Sequence, residues 1–139
     1  MRTRFKKHER GNVLVESSLI LIVFMSMLIS IFDFGQVLFL HQSITERVRE
    51  ALRYGTVNAY DATAIQNYVI YGQPSPPDGA VANYSLTAAM VSVQRADTGT
   101  PEDRIVITVS NYPFVFLSPF IAGQQRGAPI TETLPYEGP

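Results

Sequence analysis

Residues 17–32 read SSLILIVFMSMLISIF, a run of sixteen residues without a charged side chain. Ten of them are Leu, Ile, Val or Phe, and apolar residues resume at Phe34 and continue to Leu40. As a helix the run is roughly 24 Å long, and with its continuation it can cross the ~30 Å hydrocarbon layer. A helix that is apolar on every face needs lipid or a large protein around it, and about 100 further residues cannot supply such a core. The run therefore predicts a membrane-spanning helix, with membrane lipid as a partner and with Glu16 and Asp33 near the two interfaces.

The charge distribution predicts the orientation of this helix. Residues 1–11 carry five Lys or Arg residues against Glu9, a net +4, whereas the rest of the chain carries 6 basic and 11 acidic residues, a net −5. Positive residues stay on the cytoplasmic side of a membrane helix, so the N-terminus is predicted to be cytoplasmic and the C-terminus extracytoplasmic. An acidic body repels a phosphate backbone, so no nucleic acid is expected as a partner.

The composition argues against most catalytic chemistry. Cysteine is absent and the two histidines, His8 and His41, are too few for a multi-histidine metal site. The acidic residues are scattered, there is no glycine-rich phosphate loop, and no serine has an obvious histidine partner. We expect no enzymatic activity, no metal, no cofactor and no small-molecule substrate.

The junction before the apolar run carries a recognisable motif. Arg10-Gly11 is followed by Asn12-Val13-Leu14-Val15-Glu16, whereas no small-residue cleavage site of a secretory signal peptide follows the run. A basic leader ending in Gly, with Glu at the fifth position after it, resembles a type IV prepilin. More narrowly, the chain is similar to the TadE-like minor pilins, or pseudopilins, of the tight-adherence (Flp) pilus system. The segments that carry this resemblance are Val15-Glu16, Asp33-Phe34-Gly35 and Arg49-Glu50-Ala51-Leu52-Arg53-Tyr54-Gly55.

The resemblance implies a processing site and an assembly residue. A prepilin peptidase would cut between Gly11 and Asn12 on the cytoplasmic side of the inner membrane. The Glu16 carboxylate would then pair with the new amine of a neighbouring subunit and set the register of assembly, with other pilin subunits and the pilus assembly platform as partners. The chain departs from the family in having Ser17-Ser18 after the glutamate, where Phe-Ala is common, and no proline before Pro74.

Four residues of the apolar helix are candidates for helix packing. Ser26 and Ser30 are four residues apart, a small-x-x-x-small spacing that permits close approach of another helix. Gly35 is expected to relax the helix as it leaves the apolar layer, and Asp33 to meet headgroups or a partner helix.

The predicted fold class is α+β and pilin-like, with a long N-terminal transmembrane and stalk helix packed on a small antiparallel sheet of about three strands. Its parts are a leader at 1–11, the helix at 12–55 and a small extracytoplasmic head at 56–139. Apolar residues every four positions extend the helix as an amphipathic stalk that Gly55 is expected to end: Leu40, Ile44, Val48 and Leu52. On the stalk, ion pairs Glu46–Arg49 and Glu50–Arg53 are expected on a solvated face.

The head is predicted to contain one helix and three strands. The helix spans 62–71 between an Asp61 cap and Gly72, and a proline-rich loop follows it. Strands are expected at 90–96, 104–112 and 128–136, the last at an edge because of its prolines, with the apolar side of the second strand against the stalk. A patch of large apolar residues is interpreted as filling the core more readily than as a docking surface: Phe114, Phe116, Leu117, Phe120 and Ile121.

The sequence therefore predicts a minor pilin that is inserted in the inner membrane, processed after Gly11 and added to a pilus, or to its base, for surface attachment. Two alternatives stay open. A pseudopilin of a type II secretion system would share the leader and stalk, and neighbouring genes would separate the two. A single-pass anchored protein with an adhesive or sensory head would keep its leader uncut.

Overall fold

A computed structural model of the chain describes residues 7–118, 121 and 123–137, with side chains from residue 12 onward. Within these residues the chain forms two α-helices, α1 (Lys7–Val57) and α2 (Ala62–Tyr71), followed by two short 3-10 turns at Asn83–Ser85 and Ala88–Met90. Five strands come next: β1 (Val91–Ala96), β2 (Arg104–Val109), β3 (Pro113–Val115), β4 (Gln124–Arg126) and β5 (Ile130–Pro135). The predicted α+β class is confirmed.

Helix α1 is unbroken over 51 residues, which is about 77 Å. It passes through Gly35 without a break, and the expectation that Gly55 ends it is wrong, because the helix continues to Val57. Gly55 is buried inside it instead. A Cβ at this position would lie 2.7 Å from Cδ1 of Ile65 and 3.0 Å from Cδ1 of Ile105. The glycine therefore permits α2 and β2 to pack closely against α1.

Helix α2 has the predicted bounds and the predicted caps. The Asp61 carboxylate accepts hydrogen bonds from the backbone N–H groups of Thr63 and Ala64. At the other end Gly72 adopts a left-handed conformation with φ 80° and donates its N–H to the carbonyl of Tyr68. Both ends of α2 are thus encoded locally.

The main sheet has the order β1-β2-β5 and is antiparallel throughout. The predicted hairpin of β1 and β2 is confirmed, with Val91 opposite Val109, and β5 lies at an edge as its prolines indicate. Alternate residues of β2 are buried, namely Ile105, Ile107 and Val109. This apolar side of the sheet faces the helices and closes the core.

Among the described residues, the buried apolar core lies entirely beyond residue 43. The C-terminal part of α1 contributes four buried apolar side chains, Ile44, Val48, Ala51 and Leu52, which meet buried residues of α2 and the sheet. One helix thus forms both the apolar N-terminal segment and the centre of the head. The amphipathic spacing of the stalk predicted this arrangement.

The ion pairs of the stalk differ from those expected. Arg47 pairs with Glu50 at 3.1 Å, and Arg49 reaches across to Glu132 of β5 at 2.9 Å, so the expected pairs Glu46–Arg49 and Glu50–Arg53 are wrong. The reason is tertiary, since β5 packs beside α1 and brings a carboxylate to Arg49. A spacing of three residues on a helix allows such pairs but does not choose among them.

Candidate functional site

The N-terminal part of α1 presents a long and largely exposed apolar surface. From Asn12 to Val57 the helix contains an apolar window long enough to cross a membrane, and none of that window is buried. Large apolar side chains are exposed from Val13 to Phe39, with Phe24 in the middle at 54%. Such a surface is far larger than the apolar patches that soluble proteins expose. The finding is consistent with a single-pass membrane protein.

The predicted processing site lies near the start of this helix. The bond between Gly11 and Asn12 is within α1, and Glu16 is an exposed residue one turn further along. A separation of four residues places Asn12 and Glu16 on the same helix face. An amine created at residue 12 would therefore lie on the face that carries this carboxylate.

Ser26 and Ser30 lie in the apolar part of α1, and their hydroxyls are already hydrogen-bonded. Ser26 donates to the carbonyl of Ile22, and Ser30 donates to the carbonyl of Ser26, each at 2.8 Å. Ser18 does the same with Leu14. A hydroxyl that is satisfied by its own helix can face lipid or another helix at little cost. The packing role of Ser26 and Ser30 stays a prediction.

Asp33 has a partner that the sequence did not indicate. Asp33 is only 4% exposed. Its two carboxylate oxygens accept hydrogen bonds from the backbone N–H groups of Leu117 at 2.6 Å and Ser118 at 2.9 Å. These bonds join the apolar helix to a segment 84 residues further along the chain. Hydrogen bonds to an ionised acceptor are among the stronger ones in proteins. Asp33 thus fastens the head to the helix from within the same chain.

Gly35 follows Asp33 on an open part of the helix. A Cβ at this position would have no heavy atom within 4 Å among the described residues outside its own helix backbone. The space beside Gly35 is thus available to a neighbouring molecule, and its predicted role in helix packing remains a prediction.

The segment fastened by Asp33 lies between the two strands of a second, smaller sheet. Strands β3 and β4 pair antiparallel, with Pro113 opposite Arg126, and we call residues 113–126 the β3–β4 ribbon. The sequence did not predict this ribbon, because its prolines and its short strands give no clear alternation. Its base is held at Tyr112 and its tip at Asp33.

Tyr112 fixes the base of the β3–β4 ribbon to the stalk. Its side chain is buried, and its hydroxyl and Nδ1 of His41 share a hydrogen bond of 2.7 Å. Burial raises the pKa of the Tyr112 phenol, so the group stays protonated at neutral pH. Directly after β4, Gly127 donates its N–H to the carbonyl of Tyr112, and a Cβ on this glycine would overlap the tyrosine ring.

The large apolar residues of the β3–β4 ribbon fill the core less than expected. Phe114 packs partly against the core and meets the ring of Phe116 edge to face. In contrast, Val115, Leu117 and Ile121 are exposed at 63%, 66% and 45%. The interpretation of this patch as core filling is therefore wrong for Leu117 and Ile121, while Phe120 lies outside the described residues.

A comparison with known families bears directly on this helix. The family model described as TadE-like protein matches residues 11–53. The chain is TadE-like over this segment. The resemblance seen in the sequence is confirmed there, and it supports a protein associated with the tight-adherence pilus system. No curated protein and no solved structure matches the chain.

The TadE-like segment contains every residue singled out for processing, assembly and helix packing. It begins at Gly11, includes Asp33 and ends at Arg53, within α1. The β3–β4 ribbon and the main sheet lie outside it. Asp33 therefore links the matched helix to a part of the head that the family model does not cover.

The far end of the head is held by a second polar cluster. Arg95 donates two hydrogen bonds to Asp103 across the β1–β2 turn, at 2.9 and 2.6 Å. The guanidinium holds the pKa of Asp103 below its ordinary value of 3.8, and the same bond raises the pKa of Arg95. Arg95 also lies over the ring of Tyr136, 4.0 Å from its centre. These contacts close one end of the sheet.

Proposed function

We propose that this chain is a minor pilin, or pseudopilin, of a tight-adherence (Flp) pilus that is added to the pilus or primes its assembly for surface attachment. The observation that carries the proposal is α1 itself. Its apolar N-terminal segment is unburied, its C-terminal segment forms the core of the head, and the TadE-like match covers both. A subunit built in this way can reside in the lipid bilayer before assembly and can later pack its helix against the helices of other subunits.

The proposed location is the inner membrane, crossed once. The net charge of +4 on residues 1–11 supports a cytoplasmic N-terminus, and the acidic remainder supports an extracytoplasmic head. The same surface of α1 would face lipid before assembly and sister helices afterwards. Extracellular location in the pilus follows from incorporation.

Processing after Gly11 is the proposed trigger for assembly, with a prepilin peptidase as partner. Cleavage would free a positive amine at Asn12, on the helix face that carries Glu16. A carboxylate at the edge of the apolar layer is unfavourable without a positive partner. We propose that Glu16 takes the amine of a neighbouring subunit as that partner.

The proposed role is assembly rather than catalysis. The partners are lipid, other pilin subunits and the assembly platform, with no cofactor, nucleic acid or small-molecule substrate. The uncharged helix surface and its hydrogen-bonded serines suit helix-to-helix packing.

Mass spectrometry of the membrane-extracted chain tests the processing step. We expect a mature chain that begins at Asn12. An intact Met1 terminus on chains recovered from pili would contradict the proposal and favour an anchored protein with an uncut leader.

The assembly step is tested with Glu16→Gln, which keeps the size of the side chain and removes its charge. Glu102→Gln is the matched control, because Glu102 is an exposed acid in the turn between β1 and β2. We expect both variants in the membrane fraction and only Glu16→Gln depleted from sheared pili or from co-purified assembly complexes. Equal recovery of the two variants would remove the role of Glu16.

A further inference from the structure

The tip of the β3–β4 ribbon presents apolar side chains beside the apolar helix. Leu117 is 66% exposed although its backbone N–H is held by Asp33. Ile121 is exposed on the same tip, and Phe34 is exposed on the helix next to Asp33. The apolar surface of α1 and that of the ribbon tip therefore lie side by side.

This part of the chain carries no charge that would resist an apolar environment. Residues 105–125 contain no Asp, Glu, Lys or Arg. On the helix, the next such residue after Asp33 is Glu46. Asp33 itself is only 4% exposed, and its carboxylate accepts two hydrogen bonds from the ribbon.

The depth of the tip can be estimated along α1. Glu16 and Asp33 are seventeen residues apart, which on a helix is about 25 Å, so Asp33 lies close to the outer limit of a ~30 Å hydrocarbon layer that begins at Glu16. The anchor at His41 is about 12 Å further out. The ribbon thus runs from Tyr112, beside His41, back toward the membrane and reaches its outer boundary at Leu117.

The hydrogen bonds of Asp33 suit that depth. Backbone N–H groups outside regular structure are costly where water is scarce, and a loop near hydrocarbon needs internal partners for them. The carboxylate satisfies two such groups, those of Leu117 and Ser118, and receives two donors that offset the cost of its own charge. A surface loop in water would have no such need.

We infer that the tip of the β3–β4 ribbon is a second membrane-contact element, which Asp33 holds at the outer lipid interface so that Leu117 and Ile121 insert among the acyl chains next to α1. The inference rests on the single-pass insertion proposed above. It makes the head lie on the bilayer at a fixed height and rotation, instead of standing free on a stalk.

Lipid is the occupant that the geometry favours over a second copy of the chain. The exposed tip is continuous with the helix surface that already requires lipid, and it lies at the same depth. A second copy bound at this site would cover the tip only where subunits meet, whereas lipid surrounds every inserted monomer.

The chain contains no cysteine, so single cysteines can carry a fluorophore that reports its surroundings. The full-length chain is reconstituted in vesicles of phosphatidylethanolamine and phosphatidylglycerol with nitroxide-labelled lipids, whose quenching group sits either near the headgroups or deep in the acyl layer. The labelled sites are Leu117→Cys at the tip, Phe24→Cys in the middle of the helix, and Ser75→Cys in the exposed loop after α2. Each is measured with Asp33 intact and in Asp33→Ala, at decreasing ratios of protein to lipid.

We expect the label at 117 to be quenched by shallow nitroxides, the label at 24 by deep ones, and the label at 75 only by iodide in the water. In Asp33→Ala the two hydrogen bonds to the tip are lost, which shifts the ratio of docked to free tip by roughly tenfold or more. Shallow quenching at 117 should fall accordingly while deep quenching at 24 is unchanged.

Three results would overturn the inference. If the label at 117 behaves like that at 75 while the label at 24 is quenched by lipid, the tip does not touch the membrane, although the proposed insertion holds. If lipid nitroxides quench the label at 117 only weakly, and that label loses its protection from iodide as the ratio of protein to lipid decreases, the tip binds another copy of the chain. If the label at 24 also escapes lipid quenching, the proposed insertion falls together with the inference.

Discussion

The hydroxyl of Tyr112 lies 2.7 Å from Nδ1 of His41, although 71 residues separate the two along the chain. The β3–β4 ribbon begins directly after Tyr112, and the apolar segment of α1 ends just before His41. This hydrogen bond therefore fixes the start of the ribbon against α1.

Removing the hydroxyl tests the strength of this anchor. We expect Tyr112→Phe to lower the free energy of unfolding by about 1 kcal/mol, because a buried hydrogen bond is lost while the ring stays packed. The measurement is denaturant unfolding of the full chain in detergent, followed by the near-ultraviolet circular dichroism of the tyrosines. Tyr71→Phe is the matched control, since Tyr71 also packs on the core but its hydroxyl has no hydrogen bond within the described structure. Equal losses in both variants would contradict a specific contribution from His41.

A methyl group at residue 127 tests the close packing of the segment that follows β4 against Tyr112. The new Cβ of Gly127→Ala would overlap the Tyr112 ring, so the ring must move out of a buried site. We expect a loss of about 1–3 kcal/mol, as for other overpacked cores. Gly35→Ala is the control, because a Cβ there meets open space and alanine favours a helix. A Gly127→Ala chain as stable as Gly35→Ala would show that the ribbon shifts freely.

The ion pair of Arg95 and Asp103 predicts a dependence of stability on pH. The pKa of Asp103 is lower in the folded chain than its ordinary 3.8, so the folded state holds its proton less tightly than the unfolded state does. Its stabilising contribution is therefore complete above pH 3.8 and is lost as the pH falls through the lower folded-state pKa. We expect Asp103→Asn to be less stable at neutral pH and to lose less stability than the wild type on acidification.

The control for this experiment is Glu102→Gln, which removes a neighbouring charge whose side chain has no described hydrogen bond. Both variants are unfolded by denaturant across the acid range. Parallel curves for the wild type and Asp103→Asn would contradict the assignment of this pH dependence to Asp103.

A larger side chain at Ser30 tests the predicted packing of α1 against another helix. We expect Ser30→Leu to insert normally, because leucine favours lipid, and to be depleted from pili because its side chain blocks the close approach of another helix. Ser18→Leu is the matched control, since Ser18 is also exposed and also bonds to the carbonyl four residues back. If the two variants enter pili equally well, Ser30 has no special place in helix packing.

The elements that depend on local sequence were the ones that sequence could predict. The bounds and both caps of α2 follow from Asp61 and Gly72, and the hairpin of β1 and β2 follows from its apolar alternation. The long helix follows from its composition. In each case the decisive residues lie within one or two turns or within one strand pair.

The features that the sequence missed depend on contacts between distant residues. Nothing near Asp33 indicates that its carboxylate binds the N–H groups of Leu117 and Ser118. Gly55 looked like a helix end because glycine is common there, but its absent side chain serves tertiary packing against Ile65. Arg49 likewise pairs with Glu132 of β5 and not with a residue of its own helix. For the candidate site, the residues of α1 could be named in advance, while the ribbon that meets them could not.

One continuous helix supplies both the exposed apolar surface and four residues of the apolar core, and no break interrupts it. The N-terminal part of α1 and the head are consequently expected to move together. A piston displacement of a single residue along the axis would raise the sheet by about 1.5 Å, and any rotation of the anchor would turn the sheet by the same angle. A displacement applied near the N-terminal end of α1 would therefore be transmitted along the helix to the sheet.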